Sequence, residues 1–156
     1  MTASATLRSL VPQPVPSFTE EAARLRVVES FGVRDLVDDP ELEHIVRFAA
    51  ALCGTGGAAL TLVEADHEFL LARVGSSERE VPREISFCPF AMAQGGLMEV
   101  PDSRADPRFA ENPFALAEPG VRFYAGEPLV SEEGAPLGAL CVVDARPRPE
   151  GLTEVQ

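Results

Sequence analysis

Cys88 is the residue whose position most invites chemistry. It follows Ser86-Phe87 at the predicted start of a short helix, where the positive end of the helix dipole would lower a thiol's pKa and make it reactive. The alternative is that it simply fills the junction between strand and helix. A second candidate is a set of rings, Phe87, Phe90, Phe109, Phe114, Phe123 and Tyr124. Aromatic residues are only 6% of the chain, so their concentration in this region points to a planar or apolar ligand between rings, or to rings that fill the space themselves. Tyr124 is the only tyrosine, and a buried hydroxyl needs a partner. The third candidate is Asp102, Arg104, Asp106 and Arg108, whose signs alternate at two-residue spacing. They could fix a charged ligand, or pin their own loop through mutual ion pairs; we expect the pinning role. Asp106-Pro107 also reads as a helix start.

Other chemistries lack their residues. All 13 bases are Arg, and there is no Lys. That removes P-loop, protein-kinase and Schiff-base mechanisms, each of which needs an amine. Ser76, Ser77 and Ser86 have no plausible base nearby, and no nucleophile-elbow motif exists. His44 and His67 are the only histidines and neither has metal-ligand spacing around it, so no metal site is expected. Gly54-Thr55-Gly56-Gly57-Ala58-Ala59 follows a helix and leads into a strand, the reverse of a dinucleotide loop; it reads as a turn. The three cysteines, Cys53, Cys88 and Cys141, lie 35 and 53 residues apart without a C-x-x-C. Free thiols in a reducing compartment follow, with Cys53 and Cys141 in the core.

The elements that must position these residues are legible in outline. Ser17 with Glu20 has capping-box spacing and opens a helix to about Phe31, with Ala22, Leu25, Val28 and Phe31 on one stripe. Asp39 as N-cap, Pro40 as first helical residue and Gly54 as terminator bound a second helix. Its buried face is Leu42, Ile45, Val46, Ala49, Leu52 and Cys53. Ala58 to Glu64 and Phe69 to Val74 are strands joined by a turn at Ala65-Asp66-His67, and Ser76 to Arg83 is a loop. Ile85-Ser86-Phe87 reads as a brief strand, Pro89 to Ala93 as a short helix and Leu97 to Val100 as a strand. Residues 102–120 form a long loop with one or two helical turns, a length that is usually functional inside a compact domain. Val121 to Val130 and Leu137 to Val143 make a hairpin around Glu132-Glu133-Gly134.

This order gives an α+β domain with an antiparallel sheet. The last strand is apolar at every position from Leu137 to Val143 except Gly138, so it should be covered on both faces and therefore central. N-terminal helices would cover one face. Segment 88–120, mostly loop, would cover the other more loosely and leave a cavity. At 156 residues the chain is one domain's worth. It divides into a flexible Pro-rich segment 1–16, a domain 17–150, and the start of a helix at 151–156 with Thr153 as cap. The net charge of −12 makes nucleic acid and anionic membranes poor partners. No apolar run approaches the roughly 20 residues that span a bilayer, and nothing at the N-terminus resembles a signal peptide. A cytoplasmic protein is expected.

The chain resembles a GAF domain over roughly residues 20–150. Five segments carry the likeness in order: Asp39-Pro40-Glu41-Leu42, Glu84-Ile85-Ser86-Phe87-Cys88, residues 100–109 from Val100 to Phe109, residues 121–129 from Val121 to Leu129, and residues 137–144 from Leu137 to Asp144. They are most similar to the subgroup found in bacterial histidine kinases and diguanylate cyclases. The resemblance implies a six-stranded antiparallel sheet, terminal helices on one face, and a ligand pocket under the crossing loops on the other. Phe87, Cys88, Phe90, Asp102, Arg108, Phe109, Phe123 and Tyr124 are the expected ligand-binding residues. It also implies a non-catalytic sensory module without a cofactor, relaying an unknown small molecule's state through terminal helices to a kinase or cyclase output elsewhere in a parent protein. Self-association through the first helix is expected, giving a homodimer. The alternatives are a thiol-dependent free methionine sulfoxide reductase of the same fold, or a dimerising spacer that binds nothing. A tetrapyrrole is not expected, because residues 102–120 contain no His or Cys.

Overall fold

A computed structural model describes residues 15–156; most of the Pro-rich segment assigned to residues 1–16 therefore lies outside the described residues. Helix α1 spans Glu21–Ser30 and α2 spans Pro40–Cys53. They are followed by strands β1 (Gly57–Val63), β2 (His67–Val74) and β3 (Glu80–Pro82), then helix α3 (Cys88–Gln94) and strand β4 (Met98–Val100). One turn of helix, α4 (Pro113–Leu116), precedes β5 (Phe123–Val130) and β6 (Pro136–Asp144). The six strands form one sheet in the order β3-β2-β1-β6-β5-β4, and every neighbouring pair is antiparallel. The all-apolar last strand is central, as its composition required.

Alternation along the strands separates two cores. Ala58, Leu60, Leu140, Val142, Phe123 and Ala125 face the helices, where α2 buries Val46, Ala50 and Cys53. The larger of these, such as Val46, Val142 and Phe123, each contribute about 2 kcal/mol on removal from water. Ala59, Val63, Ala139, Cys141 and Tyr124 face the other way, toward α3 and Phe109. Leu71 is an extra residue where the β1–β2 register shifts from Leu60↔Ala72 to Thr61↔Leu70. That bulge turns Leu71 and Ala72 both toward the helices and leaves Glu68 and Leu70 on the opposite face.

α2 matches its signals: Asp39 Oδ1 accepts the Glu41 amide at 2.8 Å, and Gly54 ends the helix with a positive φ of 63°. Its buried face is shifted, however, since Ile45 and Leu52 are exposed. α1 departs further. Ser17 does not cap it; Ala22 and Phe31 face solvent, and Arg24 points inward beside Val28. The Arg24 guanidinium donates to Val63 O (2.8 Å) and Pro136 O (3.2 Å) and pairs with Glu21. A single long cation thus closes the strand ends where apolar periodicity predicts Leu25. Loop 76–83 contains the short edge strand β3, and Ile85-Ser86-Phe87 is not a strand: Arg83–Ile85 is a 3-10 turn that feeds α3. Residues 151–156 make a single turn, with the Gln156 amide bonded to Thr153 O at 3.1 Å. Among the described residues, no helix is long and apolar enough to cross a membrane.

Candidate functional site

The face of the sheet opposite α1 and α2 carries a small group of polar side chains in an otherwise apolar layer. Glu68 from β2 is 3% exposed, and Thr61 from β1, Ser86 before α3 and Tyr124 from β5 are equally buried. Ser86 Oγ donates to Glu68 Oε2 and accepts the Cys88 amide at 3.2 Å. Tyr124 Oη donates to Cys88 Sγ at 3.2 Å, and Cys141 belongs to the same buried cluster as Cys88. Gly126 makes room for this arrangement, because a methyl group there would overlap the Tyr124 hydroxyl. No base belongs to the group. Burial pushes the Glu68 carboxyl well above its ordinary range, with the neighbouring Cys88 adding to the effect; the group is held as the neutral acid. Tyr124 is raised by burial in the same way.

Above this floor is a cavity of about 430 Å³, within the roughly 300–1,000 Å³ typical of small-molecule sites. Leu70, Val81, Phe87, Phe114, Val121 and Val143 supply apolar walls, and Glu68, Thr61, Ser86, Cys88, Tyr124 and Cys141 the polar end. Its roof, residues 113–121, is held by side chains that reach across loops. Asn112 caps α4 by accepting the Phe114 amide (2.8 Å) and donates to Ile85 O (3.0 Å). Ser103 Oγ donates to Val121 O at 2.6 Å, and Arg104 Nε to Ala115 O at 2.8 Å. Arg104 also reaches Ala117 O (3.4 Å) and pairs with Glu118 (2.7 Å), so one guanidinium holds the middle of the roof as well as its start.

The eight expected ligand-binding residues divide four ways. Phe87, Cys88 and Tyr124 line the cavity, together with Phe114. Phe109 and Phe90 stand behind Phe87: Phe87 and Phe109 stack with centroids 4.2 Å apart, and Phe90 meets Phe109 edge-on at 4.9 Å. These rings fill space, and the hollow opens on the far side of Phe87. Asp102 and Arg108 are loop pins. Asp102 holds Arg122 with two hydrogen bonds of 3.1 Å, and Arg108 pairs with Asp106 at 2.7 Å; neither lines the cavity. Phe123 is a correction. It lies among the α2 contacts on the other face, under the Arg148 guanidinium, because adjacent strand residues point to opposite faces and Tyr124 takes the cavity side.

Cys88 also departs from the activated-thiolate reading. The neighbouring Cys141 thiol and complete burial raise the Cys88 thiol well above its ordinary pKa, and α3 has only seven residues and no side-chain N-cap. It is a neutral thiol that fills space at the first residue of the helix. Glu68, Thr61 and Asn112 were not anticipated. For Glu68 a signal existed: it alternates with Leu70 on a strand whose neighbours are apolar, so a carboxyl on that face had to be buried. The bulge at Leu71, which has no sequence signature of its own, obscures that register.

A six-stranded antiparallel sheet with helices on one face and a walled cavity on the other defines the class of protein. The GAF domain family model matches residues 39–156, and the chain belongs to that family. A cyclic di-GMP phosphodiesterase of Pseudomonas aeruginosa is 37% identical over 129 residues, covering 83% of this chain and 22% of the relative, so the chain spans about a fifth of that protein's length. Among solved structures, free methionine-R-sulfoxide reductase from Neisseria meningitidis in complex with its substrate superposes with a TM-score of 0.56 at 22% identity, covering 86% of this chain and 82% of that one. The GAF domain of a phosphoenolpyruvate-protein phosphotransferase from Coxiella burnetii gives 0.57 at 12% identity, with 87% and 84% covered. At these identities the two structures share the fold.

Proposed function

We propose that this GAF domain is a non-catalytic sensory module whose cavity binds a small molecule and passes its occupancy to an output domain of a signalling protein. The observation that carries the reading is the cavity itself: its walls are apolar, one end is polar, and its roof rests on loop contacts rather than on a second sheet. A relay to the helices is also built in. Ser86, Phe87 and Cys88 line the cavity, and Arg83, three residues earlier, donates to Glu64 O and pairs with Glu21 of α1. Phe18 lies between Arg24 and Arg83, with each cation within 6 Å of its ring centroid. A guest that shifts the start of α3 would pull on α1 through this clamp, provided that the guest binds two arrangements with different affinity. Histidine kinase and diguanylate cyclase outputs suit such a module, and the relative's name adds a cyclic di-GMP phosphodiesterase. The three unpaired thiols suit a cytoplasmic setting.

The test is a thermal-shift screen of small molecules against the wild type and Val143→Phe, which fills the cavity from β6. At a hundredfold excess over Kd a guest stabilises by about 2.7 kcal/mol, or roughly 5–10 °C for a domain of this size. Compounds that stabilise the wild type and not the variant support the reading. A library that moves neither reduces the domain to a spacer.

The contact between Cys88 and Cys141 favours one second reading, a free methionine sulfoxide reductase with attacking and resolving thiols on the cavity floor. The protonated state of Cys88 weighs against it, since the thiolate is the attacking species. Turnover of methionine sulfoxide with thioredoxin, abolished by Cys88→Ser, would establish the reductase and displace the sensor.

A further inference from the structure

The charge of the cavity lining restricts its occupant further; this step rests on the receptor reading above. Of the residues lining the cavity, three can carry charge: Glu68 at the floor, and Glu78 and Asp144 toward the mouth. No Arg or His is among them, although the chain has 13 arginines. Neither Glu78 nor Asp144 is paired with a base among the described residues. The groups that face Glu68 are Thr61 on β1, Ser86, Cys88 on α3 and Tyr124 on β5, with Cys141 beyond Cys88. All are hydroxyls or thiols.

An anion entering this space would leave water to meet three carboxyl groups and no cation. A phosphate-bearing molecule, cyclic di-GMP among them, would find no cation there to pair with. A cation meets the opposite field. We propose that the cavity takes a small organic amine with an apolar ring or branched body, its ammonium group seated on Glu68 and its body against Phe87, Leu70, Phe114, Val121 and Val143. The only bond broken is the Glu68 carboxyl O–H. The guest arrives as R–NH3⁺, the Glu68 carboxylic acid gives one proton to solvent, and the pair formed is carboxylate with ammonium. Ser86 Oγ, already bonded to Glu68, remains as a donor to the carboxylate.

The test is isothermal titration of the chain with three molecules of one shape, benzylamine, benzyl alcohol and benzoate, in phosphate and in Tris. Benzylamine should bind at least about tenfold more tightly than the alcohol, as a desolvated ion pair requires. Benzoate should give no binding heat. The benzylamine enthalpy should change between buffers by the amount expected for one released proton, and the alcohol's should not. In Glu68→Gln, whose folding is checked by its melting temperature, the preference for amine over alcohol should disappear. Alcohol binding as well as amine, benzoate binding at all, or an amine preference that survives Glu68→Gln each overturns the proposal while leaving a working receptor cavity. Heat from none of the three at millimolar concentration also overturns it, and the receptor reading is then decided separately by the screen on wild type and Val143→Phe.

Discussion

Glu68 keeps its proton because it is buried and every group around it is neutral. Its folded-state pKa is raised, so above the ordinary carboxyl value of 4.5 the native state binds more protons than the unfolded chain, and stability falls as pH rises. Within that window the slope is at most about 1.4 kcal/mol per pH unit. Glu68→Gln removes this slope, and we expect the variant to melt higher than the wild type at pH 8 and to converge with it toward pH 4.5. A variant that melts lower by the same margin at both pH values contradicts the neutral carboxyl. Phe109 acts at the same scale through packing. It is fully buried and stacked on Phe87, so Phe109→Ala should cost about 3–5 kcal/mol in denaturant unfolding, whereas Phe109→Leu, which retains most of the volume, should cost clearly less. Residue types suggested these rings but not their faces. Phe123 and Tyr124 are adjacent, so only one could reach the cavity, and composition alone does not say which.

At the scale of elements, two devices hold the molecule's loose ends. Glu21 on α1 is drawn down to about 2, first by its hydrogen bond with Arg24 and further by Arg83, against the opposing effect of partial burial. A depressed carboxyl stabilises the fold above its unfolded value, near 4.5, and that contribution is lost as pH falls through 2. Acid unfolding of Glu21→Gln should therefore show a shallower loss of stability between pH 4.5 and 2 than the wild type; identical acid limbs would show that the clamp contributes nothing. The roof depends on Asn112, whose two ends serve different partners. Asn112→Ala should cost about 1–3 kcal/mol and speed hydrogen exchange at residues 113–121. Asn112→Asp retains the acceptor to Phe114 N–H, loses the donor to Ile85 O, and should fall between the two. The legible elements were those with strong local punctuation: Asp39-Pro40 and Gly54 fixed α2, and turn residues fixed both hairpins. The illegible ones, β3 and the 3-10 turn at Arg83–Ile85, are short and set by tertiary hydrogen bonds such as the Arg83 amide to Asp66 O at 2.9 Å. Arg24 misled the periodicity because a buried guanidinium does the work of a core residue.

For the whole molecule, the antiparallel sheet followed from the order of elements and a central β6 from the apolar last strand, while the size of the cavity did not follow from any pattern. It is a difference between the volume the roof encloses and the volume the rings fill, and a sequence states neither. The helix face raises a separate expectation. Phe31 is 50% exposed at the end of α1, and Ile45, Phe48 and Leu52 form an exposed apolar stripe on α2 at three- and four-residue steps. We expect this surface to self-associate, with Phe48→Glu shifting the chain toward monomer in sedimentation velocity. A wild type that is monomeric at high micromolar concentration contradicts a helix-mediated dimer.

The hollow between the sheet and residues 113–121 is best tested by native mass spectrometry of freshly purified protein, wild type beside Val143→Phe. The wild type should carry a species heavier than the chain by the mass of one small organic molecule, and Val143→Phe should lack it. Bare-chain mass from both proteins, or the same adduct on both, would contradict it.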